Sequence, residues 1–155
     1  MKKIKAFLAK KDIEFSAKRY FIDALGAMAQ GLFASLLMGT IFGTIYDKTG
    51  IEFFLTLKTF AQGATGPAMA VAIGSALKAS PLVLFSLCAV GFGANDIGGP
   101  LGTFFAVVVA TELGKIVSKE TKIDILVTPA VTIMAGTAMA LLTGPVISGI
   151  MNGFG

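Results

Sequence analysis

Gly93-Ala94-Asn95-Asp96-Ile97-Gly98-Gly99-Pro100-Leu101-Gly102 interrupts a stretch from Phe85 to Val117 that is otherwise almost wholly apolar. An Asn-Asp pair and a run of helix-breaking Gly and Pro sit where lipid tolerates neither a carboxylate nor free peptide groups. Such backbone survives at membrane depth only when it is buried in protein or lines a water-filled cavity. The segment therefore marks an integral membrane protein and the working part of it. The largely apolar runs on its two sides, 81–93 and 103–117, would form helices about 20 and 22 Å long. Both fall short of a hydrocarbon core of about 30 Å. Two readings follow: a discontinuous or re-entrant helix pair at about 81–117, or two tilted short spans joined by a tight turn.

Composition agrees with a membrane setting. Hydrophobic residues make up 55% of the chain and charged ones 14%, and mean hydropathy is +0.83, so a soluble domain would lack polar cover. The chain has no His, which excludes imidazole metal sites and His-based acid–base or phospho-relay chemistry. The single Cys88 lies in an apolar run and is expected to serve packing. Net charge is +4 with 13 basic residues. Seven of them, Lys2, Lys3, Lys5, Lys10, Lys11, Lys18 and Arg19, precede the first apolar run. That is a cytoplasmic flank held by the positive-inside rule, not a nucleic-acid-reading module. No cleavage site follows, so the flank is expected to be retained. With Ile4, Phe7, Leu8 and Phe15 opposite the lysines, residues 1–19 read as a basic helix lying in the interface, the alternative being a frayed tail.

Residues 20–155 read as an all-α, polytopic transmembrane bundle of four or five segments, at 21–46, 51–77, 81–95, 100–118 and 125–150. Asp47-Lys48-Thr49-Gly50 and Lys78-Ala79-Ser80-Pro81 are turns, and Lys115 to Asp124 forms a second charged loop on the side of the N-terminus. Small residues recur at four-residue steps: Ala27, Gly31, Ser35, Gly39, Gly43; Gly66, Ala70, Gly74; Gly98, Gly102, Ala106, Ala110, Gly114; and Thr132, Gly136, Ala140, Gly144, Ser148. Each series forms one helix ridge that lets a neighbouring backbone come close. The odd number of crossings suggests one half of an inverted repeat, completed by a second half-domain or by homo-oligomerisation.

The candidate chemistry is binding. Intramembrane ionisable groups usually face a cavity or a partner, which selects Asn95 and Asp96. Gly98, Gly99 and Gly102 permit close backbone approach, and the helix start beside them offers unpaired donors to a polar or anionic ligand. The plainer alternative is that Asn95 and Asp96 only cap that helix. Gln62 and Thr65, in the break Gln62-Gly63-Ala64-Thr65-Gly66-Pro67, are a second, weaker set for the same cavity. Glu112 and Lys115 read as an interfacial i, i+3 pair rather than a buried one. No nucleophile has a base beside it and no dinucleotide or phosphate loop is present. No catalytic residue, metal site or cofactor is therefore expected.

Asn95-Asp96-Ile97-Gly98-Gly99-Pro100-Leu101-Gly102-Thr103-Phe104-Phe105, then Glu112-Leu113-Gly114-Lys115-Ile116-Val117-Ser118-Lys119-Glu120-Thr121-Lys122-Ile123-Asp124-Ile125, then Thr128-Pro129, resembles a bacterial membrane family. So does Ala9-Lys10-Lys11-Asp12-Ile13-Glu14-Phe15-Ser16 followed by Arg19-Tyr20. The family is that of phosphotransferase-system EIIC-like proteins, the group including the perfringolysin O regulator. The resemblance implies a permease domain of the bacterial inner membrane with its N-terminus cytoplasmic, carrying a small polar or sugar-like solute and working with EIIA- and EIIB-like proteins. It equally admits a membrane-embedded sensor or regulator that binds a ligand without moving it.

Overall fold

The computed structural model describes residues 2–10, 18–120 and 122–154, and among them every element is helical. Helix α1 is Lys2–Lys10; the remainder of the 1–19 flank, at 11–17, lies outside the described residues. Helix α2 runs Lys18–Thr49, with π-type winding over Lys18–Ala24 and Phe33–Leu37. It stops at Gly50, whose left-handed φ of 72° lets its N–H donate to the Tyr46 carbonyl at 2.7 Å, the usual glycine helix stop. The chain returns along α2 as two helices, α3 (Glu52–Gly63) and α4 (Thr65–Ala76). Helix α5 is Pro81–Val117 and helix α6 is Asp124–Phe154.

Helix α5 is not one straight rod. Its backbone leaves helical geometry at Gly99, with φ 65° and ψ −159° followed by Pro100. This conformation is reserved almost wholly for glycine. The contacts show that the chain reverses there. The Ser80 and Ser118 hydroxyls meet at 3.3 Å, and the Lys115 ammonium donates to the Leu77 carbonyl. A Cβ added at Gly114 would lie 3.2 Å from Val83, and one added at Gly102 would lie 3.7 Å from the Ala94 carbonyl oxygen. Arms 81–98 and 100–117 are thus the two antiparallel limbs of a helical hairpin, each about 27 Å long at 1.5 Å per residue. The sequence suggested two short helices at a break; the hairpin is their arrangement.

Helix α6 runs back along the second limb. Gly114 abuts Thr132, Gly136 abuts Val90 and Ala110, and Gly144 abuts Ile97. On the other flank α4 packs antiparallel to the first limb. A Cβ added at Gly91 would stand 2.3 Å from the Gly66 carbonyl oxygen, so the two backbones touch and neither position admits a side chain. The core lies between these elements, with Ala70, Ile73 and Leu77 from α4, Val83, Leu87 and Val90 from the first limb, and Ala106, Val107 and Ala110 from the second. The small-residue ridges are the packing seams: Gly31, Ser35, Gly39 and Gly43 are all buried, as are Gly66, Ala70 and Gly74, and Thr132, Gly136, Ala140 and Gly144. In lipid this is the expected division, since small residues bring helices together while large apolar ones meet acyl chains.

The outside follows the same rule. Phe21, Phe33, Phe85, Phe92, Leu141 and Leu142 are exposed, each more than half accessible. So much exposed apolar surface suits lipid and not water. Among the described residues three helices are long and apolar enough to cross a membrane: Lys18–Thr49 with mean hydropathy 1.6, Pro81–Val117 with 1.5, and Asp124–Ile147 with 2.0. The second of these is the hairpin. Cys88 belongs to this exterior as well: it is exposed rather than packed inside.

Candidate functional site

Two helix interruptions and an intrahelical proline meet near the hairpin tip. The first is the tip itself, Gly99-Pro100. The second is the junction between α3 and α4 at Ala64, where φ −89° and ψ 4° depart from the helix. Gly66, one half-turn into α4, rests on Gly91 and comes within 3.0 Å, measured from an added Cβ, of the Asn95 Cβ. The proline is Pro145, which follows Gly144 inside the continuous helix α6. Gly144 presses on Ile97, and its Cα is 3.4 Å from where a Cβ on Gly98 would stand. The two breaks free peptide groups that a continuous helix would pair, and Pro145 lacks the N–H that would pair one α6 carbonyl, so polar backbone gathers at one level of an otherwise apolar bundle. That level lies about 22 Å along the limb from Ser80, at 1.5 Å per residue.

The residues singled out in the sequence divide around this level. Asn95 is half-buried and faces the α3–α4 break across Gly66. Gln62 is half-buried, its side chain lying against Gly39 of α2. Its carbonyl accepts a hydrogen bond from the Thr65 hydroxyl at 2.8 Å. Thr65 is buried, and that bond ties the break together while leaving the hydroxyl oxygen able to accept. Gly98 and Gly99 are half-buried and Gly102 is buried between the limbs and Ile147. The Gly99 carbonyl accepts from the Thr103 hydroxyl at 2.9 Å, which steadies the first turn after the reversal.

Asp96 stands apart. Successive helical residues point about 100° apart, and Asp96 falls on the exposed stripe of Phe85, Cys88 and Phe92 rather than beside Asn95's contact with α4. The structure therefore brings Asn95 together with Gly66 and the Gln62–Thr65 break, and separates Asp96 from them. A carboxylate on an apolar outer stripe is costly in lipid. Its natural surroundings are a water-filled crevice or another protein surface.

At the opposite, open end of the hairpin the side chains form a network that the sequence reading underestimated. Glu112 is 8% exposed and Lys115 is 3% exposed, so the pair is buried rather than interfacial. The carboxylate lies 3.6 Å from the Lys115 ammonium and accepts from the Tyr20 hydroxyl at 2.8 Å. With the Leu77 carbonyl as a further acceptor of Lys115, one cluster ties α2, the end of α4 and the second limb. The i, i+3 spacing signalled the pair. The partner Tyr20 lies 92 residues away and leaves no local signal. Thr128, just before Pro129, donates to the Asp124 carboxylate at the start of α6.

Lys78, Lys115 and Lys119 crowd this open end, joined by Lys10 of α1. The far end of α2 and α3 carries the balanced set Asp47, Lys48, Glu52 and Lys58.

No curated protein and no solved structure matches the chain. The sequence profile described as phosphotransferase system, EIIC matches residues 22–155, which takes in the hairpin, both flanking breaks and α6, and leaves α1 outside. With the match spanning most of the chain, the chain belongs to the phosphotransferase-system EIIC family.

Proposed function

We propose that this chain is the membrane permease part of an EIIC-type system and handles a small polar or sugar-like solute at the hairpin tip. One observation carries the reading: two helix interruptions, at Ala64 and Gly99-Pro100, converge on one level beside Asn95, where the Gly144-Pro145 pair of α6 also packs. Broken helices at the membrane interior are the usual way transporters present backbone donors and acceptors to a solute. Asn95, Gln62 and Thr65 supply amide and hydroxyl groups, Gly98, Gly99 and Gly102 let the solute approach the backbone, and Asp96 borders the aqueous side. Excess lysine at the open end supports an inner-membrane orientation with that end and the N-terminus cytoplasmic. EIIA- and EIIB-like proteins are the corresponding soluble partners, and a second copy or half-domain would cover the stripe bearing Asp96.

Uptake of labelled sugars into proteoliposomes tests this. The intact protein should accumulate a solute, Asn95→Ala should lower uptake at least tenfold, and Asp96→Asn should lower it too. Uptake indifferent to both substitutions would sink the site. Binding without accumulation, with EIIA- and EIIB-like partners supplied, would replace transport by the second reading, a ligand-sensing membrane regulator.

A further inference from the structure

The open end of the hairpin holds a pocket of about 240 Å³ lined by Lys10, Lys78, Lys115 and Lys119, with Ser80, Ser118 and Glu120. Its composition is unlike the rest of the bundle. Lys10 comes from α1, Lys78 from the turn before the hairpin and Lys119 from the turn after it. All three side chains are exposed, whereas the buried Lys115 charge is matched by Glu112. Glu120 offsets part of the rim charge, leaving a clear excess of ammonium groups. The Ser80 and Ser118 hydroxyls, 3.3 Å apart, form its floor. Ser80 is also the residue before Pro81, the first position of the first limb, and its hydroxyl makes no capping bond to that helix. The positive end of a long helix thus opens where the lysines converge.

Backbone conformation supplies an independent sign. Among the described residues only two non-glycine residues have positive φ, Lys78 at 65° and Lys119 at 63°. Such a conformation is uncommon outside glycine. At Lys78 the following Ala79 N–H donates to the Gly74 carbonyl at 3.0 Å, so this is the helix-stop position where glycine is the default. Lysine stands instead of glycine at both positions, and both lysines line the same pocket. Local backbone preference has been overridden twice in favour of an ammonium group aimed at one place.

We infer that this pocket binds a phosphate group, carried by either a soluble phosphate ester or an anionic phospholipid headgroup at the membrane surface. Several ammonium groups, two hydroxyls and a helix N-terminus match a tetrahedral oxyanion that takes donors from several directions. The volume suits a phosphate with a glycerol-sized appendage. This inference does not depend on the solute site at the tip, about 22 Å away along the limb.

The test uses the full chain and a Lys78→Gly/Lys119→Gly double variant. Glycine is the residue these backbone positions prefer, so the variant should fold with an unchanged or higher melting temperature, and lost binding would not reflect lost structure. Inorganic phosphate and glycerol 3-phosphate are titrated in detergent by thermal shift, with glycerol as control. Phosphatidylglycerol and phosphatidylcholine are compared in nanodiscs by native mass spectrometry. The intact chain should bind a phosphate-bearing probe, with affinity falling as salt rises and falling about tenfold or more in the double variant. A response to inorganic phosphate or glycerol 3-phosphate identifies a soluble ester as the source. Selective retention of phosphatidylglycerol alone identifies the lipid. Absence of both responses, or binding unchanged in the double variant, overturns the inference.

Discussion

The two ends of the hairpin are built on opposite principles. At the open end, side chains from distant parts of the sequence lock together: Tyr20 to Glu112, Glu112 to Lys115, Lys115 to the Leu77 carbonyl, Ser80 to Ser118. At the tip, polar content comes from interrupted backbone and from Asn95 and Asp96, and the close contacts are between glycines and their neighbours. The open end spends its charges on holding helices in register. The tip keeps amide and carboxylate groups for something else. A bundle with both features is rigid where it is anchored and chemically available where its helices break.

The largest expected effect probes the anchored end. Glu112→Ala removes the carboxylate beside a buried ammonium, and breaking a buried ion pair costs about 3–5 kcal/mol. The variant should lose most of its folded yield in detergent, judged by size-exclusion monodispersity and thermal unfolding. Glu112→Gln should lose less, because its amide oxygen still accepts from Tyr20. If Glu112→Ala melts like the parent, the cluster is not an anchor and the contrast between the ends fails.

Next comes the seam between α4 and the first limb. Gly91→Ala places a Cβ 2.3 Å from the Gly66 carbonyl oxygen, and such overpacking typically costs about 1–3 kcal/mol. The helices must separate just below Asn95, so the melting temperature should fall and solute binding should weaken together. At Gly99 the cost has another origin. Nothing lies within 4 Å of an added Cβ, so Gly99→Ala meets only the strain of its φ of 65° and ψ of −159°, about 1–3 kcal/mol. A fall in melting temperature no larger than for Gly91→Ala, accompanied by a larger loss of uptake, would separate the conformation of the tip from its packing.

How far these features were legible in the sequence depends on whether their cause is local. The Gly/Pro break, the short flanking runs and the four-residue ridges are patterns within single segments, and they led to an all-helical membrane bundle; one ridge joined Gly98 to Gly102 although the reversal at Gly99 puts them on different limbs. The reversal at Gly99 stayed ambiguous because a hairpin and two tilted spans leave the same hydropathy pattern; only contacts such as Ser80 with Ser118 distinguish them. Burial of Glu112 and Lys115 was missed for a related reason. An i, i+3 pair near a span's end looks interfacial until α2 and the end of α4 close over it. Cys88 and Asp96 share one outward stripe, and which face of an apolar helix points outward is a tertiary property that an almost uniformly apolar sequence does not encode.

The smallest expected change in stability is the most informative about the tip. Asp96→Leu converts a carboxylate on the exposed stripe into an apolar side chain. If Asp96 faced lipid, removing the charge would stabilise the protein by about 2.5–3.5 kcal/mol, the cost of a charged residue at the centre of a spanning helix. If it faces a water-filled crevice, as the proposed function requires, the change should stay within about 0.5 kcal/mol while uptake falls. Thermal unfolding and uptake measured on the same preparation therefore read the surroundings of Asp96 directly. A marked rise in melting temperature with uptake intact would move Asp96 out of the site and leave Asn95 and the two helix breaks to define it.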